Sequence, residues 1–459
     1  MQKQREHWGS KFGFVMAAAG SAIGLGTLWK FPYVVGENGG GAFVITYILF
    51  TLLLGVPLFI AELLIGRAAQ RGAVATFSTL DTPTSPWKAA GWLGVIASFL
   101  IMSYYCVVAG WGLNYALMSL NQFWRGLSPE QIENSFDIIT HSADITLFWQ
   151  IAFIALTIGV VYPGIREGIE FWSKRVTSLL LLIVVGLFIH NVTLPGFSET
   201  VHFIFTPDFS KLTPAAVLEA LGLSLFTLSL GQGVMITYGS YMNRDDDLPK
   251  TALIVASMLI FVALLCAFAI FPVIFSFGRT PEAGFGLIFK TVPLLFAQLP
   301  GALLISTIFF ILFVFTALTS SIACVEVIVA NIIDLNGWTR KKAAITVGVA
   351  LFIFGCPSAL ANTDLLFANW EKLYGMNFFA TVDALASNWL LPLAALFTAL
   401  FTAYKLDYAL LEAEFKTKTS FGFLFKPWRL FIRWIVPAAI ILIVLQHAGV
   451  VNVNALMGT

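Results

Sequence analysis

The feature of this sequence that most constrains its fold is a series of apolar runs, each about as long as a membrane-crossing helix. A helix rises ~1.5 Å per residue, so about 20 apolar residues cross the hydrocarbon core of a bilayer. Only 11% of the 459 residues are charged, against roughly a quarter in soluble domains. We therefore expect an all-α polytopic membrane protein with eleven transmembrane helices. The runs, called segments 1 to 11, begin near Phe12, Asn38, Ala89, Ile145, Val176, Ala220, Thr251, Thr291, Ala343, Ala384 and Trp434.

The basic residues predict how these helices are oriented. If the N-terminus is cytoplasmic, most of the 26 Lys and Arg residues fall in cytoplasmic loops, as the positive-inside rule requires. An odd number of spans then places the C-terminus outside, in the periplasm or the extracellular medium. The polar start leads into segment 1 without a small-residue cleavage site, so we expect no cleavable signal peptide. The predicted location is a bacterial inner (cytoplasmic) membrane.

Segments 1 and 6 each carry closely spaced glycines near the middle of the apolar run. They are Gly20, Gly24 and Gly26 in the first, and Gly231 and Gly233 in the second. Close helix packing alone also favours small residues. However, segment 6 follows segment 1 by five helices, an odd number. The two five-helix repeats would therefore enter the membrane from opposite sides. Inverted repeats of this kind form binding sites at the membrane midplane, where their first helices are broken. We predict inverted repeats in residues 1–205 and 206–405, then an eleventh helix and the C-terminus in 406–459.

Several short motifs at these positions resemble the neurotransmitter:sodium symporter family. They are REHW from Arg5, KFPY from Lys30, ENGGGAF from Glu37, FTLSLG from Phe226 and LTSSI from Leu318. The chain is similar to the shorter bacterial branch of that family, whose members have eleven helices and the leucine-transporter-like fold. The resemblance implies secondary active import of an amino acid by alternating access, with helices 1 and 6 broken.

The resemblance also implies a substrate site at the two breaks. Free carbonyls at a helix end suit an ammonium group and free N–H groups suit a carboxylate, so the two breaks match a zwitterion. Gly24 occupies the position where monoamine transporters of that family carry an aspartate, which implies that the substrate is a neutral, hydrophobic amino acid bringing its own carboxylate. The implied ammonium ligands are Ala22, Phe226, Thr227 and Ser229; the carboxylate ligands are Leu25, Gly26 and Tyr105; and the side-chain pocket is Ser21, Ile101, Phe226, Gln232, Ser320 and Cys324.

Two sodium sites are expected from the resemblance, but only one of them is complete in this sequence. Hard cations prefer oxygen ligands. At the first site, Thr27 and Leu259 replace two asparagines, which leaves Thr227 and the Ala22 carbonyl. The second site is implied to consist of the carbonyls of Gly20, Ile23 and Thr316 and the hydroxyls of Thr319 and Ser320.

These hydroxyls could instead bond to carbonyls of their own helix. We expect at most one sodium ion per substrate, at the second site, with sodium-independent, proton-coupled transport as the alternative.

The resemblance further implies one gate at each end of the path. Arg5 and Asp334 would form the cytoplasmic gate, with Trp8 as a plug and with Tyr241 and Glu326 as gate or proton-relay residues. Outside, Lys30 replaces the usual arginine, Ala386 stands where its acidic partner often lies, and Asp383 could act in its place. Lysine lacks the bidentate fork of arginine, so we expect a weaker outer gate. Glu62 is expected to bind loop backbone.

Other functional classes have little support in the sequence. The five histidines show no metal-ligand spacing, so we do not expect an enzyme, and no basic face predicts nucleic-acid binding. The four cysteines lie in apolar runs, so no disulfide is expected. A channel or receptor-like relative is the remaining alternative, which saturable uptake would exclude. The expected partners are a small-molecule substrate and the bilayer, and the oligomeric state stays open.

Overall fold

The computed structural model describes residues 5–281 and 284–451, and these residues contain helices and no β-strand. A bent pair, Lys11–Ala22 and Gly26–Glu37, forms segment 1, and its halves differ in direction by 50°. Nine further helices in the described ranges are long and apolar enough to cross a membrane: Gly41–Ala69, Lys88–Leu120, Ala143–Val161, Ile165–Asn191, Leu248–Ser276, Ala302–Asn336, Arg340–Ala359, Phe378–Lys405 and Gly422–His447.

Segment 6 is broken as predicted. It consists of helices Pro214–Thr227 and Val234–Gly239, joined by residues 228–233. Neither helix is long enough to cross a bilayer alone, so the total of eleven spans stays a prediction. Segment 8 begins later than expected. The run from Thr291 belongs to a separate short helix, Leu287–Gln298. The long helix starts after Gly301, which has a left-handed φ of 81° and lies at the end of the turn between the two helices.

Short helices connect the long ones. The predicted repeat boundaries at 205 and 405 coincide with the ends of Phe197–Phe205 and Phe378–Lys405, although the repeats themselves stay a prediction. The other connecting helices are Ala73–Leu80, Pro129–His141, Trp370–Tyr374 and Tyr408–Lys416.

The centre of the bundle is built on helices Lys88–Leu120 and Ala302–Asn336, which pack along much of their length. Small residues allow this close approach, since helix association in a bilayer depends on packing rather than on hydrophobic burial. A side chain on Gly112 would overlap the Phe313 ring of the partner helix. On another face of the same helix, a side chain on Gly110 would lie 2.8 Å from the Trp149 backbone of helix Ala143–Val161. The two helices thus form a rigid frame beside the breaks.

One end of the bundle is joined by buried charge. The Arg67 side chain is fully buried, its Nε donates to Glu414 Oε2 at 2.7 Å, and its other N–H groups donate to the carbonyls of Asp246 and Glu414. Lys418 and Lys11 pair with Asp245 and Asp246 at 2.8 and 3.6 Å. The N-terminal region, the loop after segment 6 and the linker after segment 10 therefore lie at one end, here called the inner end. The opposite end is called the outer end.

Candidate functional site

The break in segment 1 leaves backbone oxygens without helical partners. Ile23 leaves the helix with ψ at 70°, so the Gly24 N–H does not close the next turn onto the Gly20 carbonyl. Among the described residues, no backbone N–H donates to the Ile23 carbonyl, since Thr27 and Leu28 both donate to Gly24 instead. Buried carbonyls of this kind are available to a cation.

The break in segment 6 uses left-handed backbone at three residues. Ser229, Gly231 and Gly233 have φ values of 56°, 74° and 74°. A Cβ on Gly231 would overlap the Leu391 carbonyl, so glycine is required there. The Gly231 N–H donates to Glu62 Oε1 at 2.8 Å, which is the contact with loop backbone expected for Glu62. Ser229 adopts a conformation that costs a non-glycine residue free energy, as is common at binding sites.

The two breaks contact each other through serine hydroxyls. Ser229 Oγ donates to the Ser21 carbonyl at 3.1 Å, and Ser320 Oγ donates to the same carbonyl at 2.9 Å. On the other side of the break, the Leu25 N–H donates to the Tyr105 hydroxyl at 3.3 Å. Carbonyls and N–H groups thus face one region from opposite sides.

All twelve residues predicted for the substrate site line one cavity of about 30 Å³ in this region. The cavity is also lined by Gly24, which was predicted to replace the aspartate of monoamine transporters, and by Met102, which was not predicted. Met102 lies three residues before Tyr105, on the same face of the helix, so helix position could have identified it. A volume of this size holds about two water molecules, so side chains must move before an amino acid fits. The twelve are Ser21, Ala22, Leu25, Gly26, Ile101, Tyr105, Phe226, Thr227, Ser229, Gln232, Ser320 and Cys324.

The residues predicted for the second sodium site lie together and are buried. A Cβ on Gly20 would lie 3.1 Å from Thr319 Cβ, and the Ile23, Thr316 and Thr319 residues are at most 2% exposed. The Thr319 hydroxyl donates to the Phe315 and Thr316 carbonyls of its own helix, both at 3.1 Å. This is the alternative considered above, but a hydroxyl that donates its proton keeps lone pairs for a cation.

Sequence reasoning missed Thr177, which lies next to Gly20, close to Thr319. Its Oγ1 would be 2.5 Å from a Cβ on that glycine and donates to the Met16 carbonyl at 3.1 Å. The hydroxyl adds one more oxygen next to the predicted site. Nothing in the local sequence distinguishes Thr177 from a threonine that only packs.

The oxygens at the first sodium site bond to one another. Thr27 Oγ1 donates to the Ala22 carbonyl at 3.1 Å. The Thr227 hydroxyl donates to the Leu223 carbonyl at 2.9 Å and lies 2.9 Å from the Tyr47 hydroxyl. Leu259 is fully buried and offers no oxygen. The Thr27 and Thr227 hydroxyls keep lone pairs, as those of the second site do, so the first site differs by the oxygen that Leu259 does not supply.

The predicted inner gate residues lie together at the inner end. Arg5 donates to both Asp334 oxygens at 2.8 and 2.7 Å, and the two side chains are 14% and 7% exposed. Trp8 is buried beside this pair, where its Nε1 donates to the Tyr238 carbonyl at 3.1 Å and its ring meets Tyr241 edge-on. The Arg5–Asp334 ion pair and Trp8 therefore close the bundle between the two breaks and the inner end.

Glu326 belongs to the same inner network. Its fully buried carboxylate accepts the Tyr241 hydroxyl at 2.5 Å and two N–H groups of Arg340 at 2.7 and 3.0 Å. Ser240 also joins the network, since it accepts from Arg5 at 2.7 Å. Arg340 and Ser240 were not predicted. Arg340 starts a basic run that the sequence indicated only as a topology signal.

The predicted outer residues form no ion pair within the parts of the chain that the structure describes. Asp383 Oδ1 accepts the hydroxyls of Tyr104 and Ser387 at 2.7 and 2.9 Å. The Lys30 ammonium lies 5.4 Å from the centre of the Phe226 ring. Hydroxyls thus satisfy the carboxylate, and the lysine contacts an aromatic face.

Next to these residues lies a cavity of about 460 Å³, lined by Lys30, Glu219, Phe226, Ser387 and His447 among others. Phe226 lines both this cavity and the smaller one. Its ring therefore separates the space at the outer end from the breaks.

Comparisons with known proteins agree with the fold. The model of the sodium:neurotransmitter symporter family matches residues 5–141 and 123–457. An uncharacterized sodium-dependent transporter of Bacillus subtilis is 42% identical over 97% of this chain and 98% of its own length. A second such transporter, from Haemophilus influenzae, is 34% identical over 97% and 98%. The sodium-dependent dopamine transporter of Caenorhabditis elegans is 27% identical over 98% of this chain and 81% of its own length.

Among solved structures, the crystal structure of MhsT in complex with L-phenylalanine is similar to this chain. The TM-score is 0.88 at 39% sequence identity, and the match covers 97% of this chain and all of MhsT. The broken-helix architecture predicted from the glycines is therefore the fold that this chain shares with MhsT.

Proposed function

Because this chain belongs to the sodium:neurotransmitter symporter family, we propose that it imports a neutral, hydrophobic amino acid across a bacterial cytoplasmic membrane. Transport occurs by alternating access, in symport with at most one sodium ion bound at the second site. The relatives named as sodium-dependent transporters support the coupling, and the L-phenylalanine bound to MhsT supports the substrate class.

The observation that carries the substrate proposal is the shared cavity at the two breaks. The Leu25 N–H and the Tyr105 hydroxyl take the substrate carboxylate, and the carbonyls of segments 1 and 6 take the ammonium group. Gly24 leaves this space free of protein charge, so the only anion beside the helix end is the one that the substrate brings. Ile101, Met102 and Phe226 supply apolar contacts to its side chain.

Competition binding to the purified protein tests the substrate class. Hydrophobic amino acids should displace a radiolabelled amino acid more strongly than the decarboxylated amines do. Tyr105→Phe and Ser320→Ala should each weaken binding by roughly 1–3 kcal/mol, because each removes a ligand from a buried charged group. Equal affinity for the amines would contradict the substrate class, and unchanged affinity in both variants would place the site elsewhere.

The ion proposal depends on the contrast between the two cation sites. At the second site, the Ile23 carbonyl has no backbone donor among the described residues and the Thr319 and Ser320 hydroxyls keep lone pairs. At the first, the Ala22 carbonyl and Thr27 bond to each other, and Leu259 offers nothing. A dehydrated cation with few ligands in a buried site is poorly compensated.

One further observation favours protons as a second candidate coupling ion. Glu62 is fully buried at the break of segment 6, and its Oε2 has no hydrogen-bond partner in the described parts of the chain. A buried carboxyl with one free oxygen is a group that can carry a proton.

Uptake into proteoliposomes under separately imposed sodium and proton gradients distinguishes the two. Sodium coupling predicts uptake driven by sodium alone with a Hill coefficient near one, lost in Thr319→Ala. Uptake driven by the proton gradient alone, and lost in Glu62→Gln, would support the second candidate. Cooperative dependence on two sodium ions would contradict both. Reporter fusions at residue 5 and at residue 451 test the orientation, with the first expected inside and the second outside.

A further inference from the structure

A third cavity, separate from the proposed transport path, lies at the inner end on the side of the bundle. It has a volume of about 320 Å³ and lies between the linker after segment 10 and the start of helix Gly422–His447. The linker is the same one that Arg67 holds through Glu414. Its lining residues are Tyr408, Phe425, Lys426, Arg429, Leu430, Arg433 and Trp434.

Three basic residues face this cavity. Lys426, Arg429 and Arg433 are spaced three and four residues apart, which brings them to one face of their helix. Aromatic rings hold the two arginines in place, since the guanidinium carbon of Arg429 lies 4.6 Å from the Tyr408 ring centre and that of Arg433 lies 4.9 Å from Tyr404. Stacking of this kind orients a guanidinium without neutralising it.

These cations lack protein counter-charges, in contrast to others at the inner end. Arg5, Arg67 and Lys418 each pair with a carboxylate at 2.7 to 2.8 Å. Within residues 5–281 and 284–451, Lys426, Arg429 and Arg433 have no carboxylate partner, and the Nε–H groups of both arginines are buried without an acceptor. Unpaired cations beside a hydrocarbon region are costly unless an anion comes from outside the chain.

The rim of the cavity indicates what kind of anion this is. Tyr404, Leu430 and Trp434 are 47%, 54% and 58% exposed. Exposed tryptophan and tyrosine beside basic residues mark the level of the lipid headgroups in a membrane protein. An anion bound here thus has its charge between the arginines and an apolar part along Leu430 and Trp434. A free phosphate ion would gain nothing from that rim.

We propose that this cavity binds the headgroup of an anionic phospholipid from the inner leaflet. The phosphate accepts hydrogen bonds from Arg429 and Arg433, Lys426 contributes its charge, and the acyl chains run along Leu430 and Trp434. Basic pockets between helices at the cytoplasmic side of a membrane suit such headgroups. The bound lipid would fasten the linker helix to helix Gly422–His447 and so stabilise the inner end.

Native mass spectrometry of the purified full chain with added phosphatidylglycerol or phosphatidylcholine tests this proposal, together with thermal unfolding in the same lipids. We expect tighter binding and a higher unfolding midpoint with phosphatidylglycerol. Arg429→Gln combined with Arg433→Gln should reduce its affinity roughly thirtyfold, as expected for two cations near a headgroup. The matched control is Arg175→Gln, because Arg175 also stacks on a ring, that of Phe171, but does not line this cavity.

Three results would overturn the proposal. They are equal binding of both lipids, an equal loss of affinity in Arg175→Gln, and an equal rise in the unfolding midpoint with inorganic phosphate alone, which would indicate a site for a soluble anion. If the double variant does not fold, Lys426→Gln serves instead. That residue is exposed, and its loss should lower phosphatidylglycerol affinity about fivefold.

Discussion

The inner and outer ends of the proposed transport path are held together by different interactions. At the inner end, Arg5 with Asp334 and Arg340 with Glu326 form ion pairs largely removed from water. At the outer end, the Lys30 ammonium lies 5.4 Å from the centre of the Phe226 ring beside a cavity of about 460 Å³, and it has no carboxylate partner in the described parts of the chain. A buried charge is costly when its partner is lost, whereas a cation–π contact contributes little. The inner end is therefore stable only when its pairs are complete, and the outer end can separate at small cost.

The largest effect is expected for Asp334→Asn, which removes the charge opposite Arg5 and keeps the side-chain shape. Breaking a buried pair costs about 3 kcal/mol or more, enough to shift the inner end strongly towards opening. Cys324, which lines the small cavity, can report this if it is kept as the sole cysteine. Its modification by a maleimide from the inner side should accelerate at least about tenfold.

Arg71→Gln is the control for that change. Arg71 lies 3.9 Å from the same carboxylate but is 35% exposed, so its loss should change the modification rate little. Similar rates in Asp334→Asn and the unaltered chain would show that the ion pair does not hold the inner end closed.

An intermediate effect is expected for Arg340→Gln, which leaves the buried Glu326 carboxylate with Tyr241 as its remaining partner. The Cys324 modification rate should rise severalfold, and uptake should fall. Adding Glu326→Gln should return the modification rate and the uptake most of the way to their original values, because the variant then has no unpaired buried carboxylate. Purely additive effects in this double-mutant cycle would mean that the two residues act independently.

The smallest effect is expected at the outer end. Lys30→Ala should change Cys324 modification from the outer side less than about twofold, since no ion pair is lost. Conversely, Lys30→Arg combined with Ala386→Asp should slow that modification. The double variant supplies a guanidinium group and a buried carboxylate, the same kind of ion pair that the inner end already has. Asp383→Asn, which keeps an acceptor for Tyr104 and Ser387, is the control. A large effect of Lys30→Ala alone would remove the contrast between the ends.

Much of the fold could be predicted because it follows from local chemistry. Apolar length predicts the helices, and closely spaced glycines predict the two breaks that the structure contains. The cavity residues were implied by the family resemblance, since Ile101, Tyr105, Ser320 and Cys324 lie outside the two broken segments. Contacts between distant elements could not be predicted in this way. Arg340 lies in a helix separate from Glu326 and has the appearance of an ordinary topology charge, and the hydroxyls that satisfy Asp383 come from Tyr104, 279 residues earlier in the chain.

The contact between Gly24 and Ser320 limits how this chain could evolve. A Cβ on Gly24 would overlap the Ser320 hydroxyl and lie 3.6 Å from the Tyr105 hydroxyl. The aspartate of monoamine carriers therefore does not fit by a single substitution. A lineage moving from amino acids to amines would have to lose the Ser320 hydroxyl first, and with it an oxygen of the proposed sodium site. Ser320 thus joins the proposed substrate site to the proposed sodium site, and we expect a substitution that changes one to impair the other.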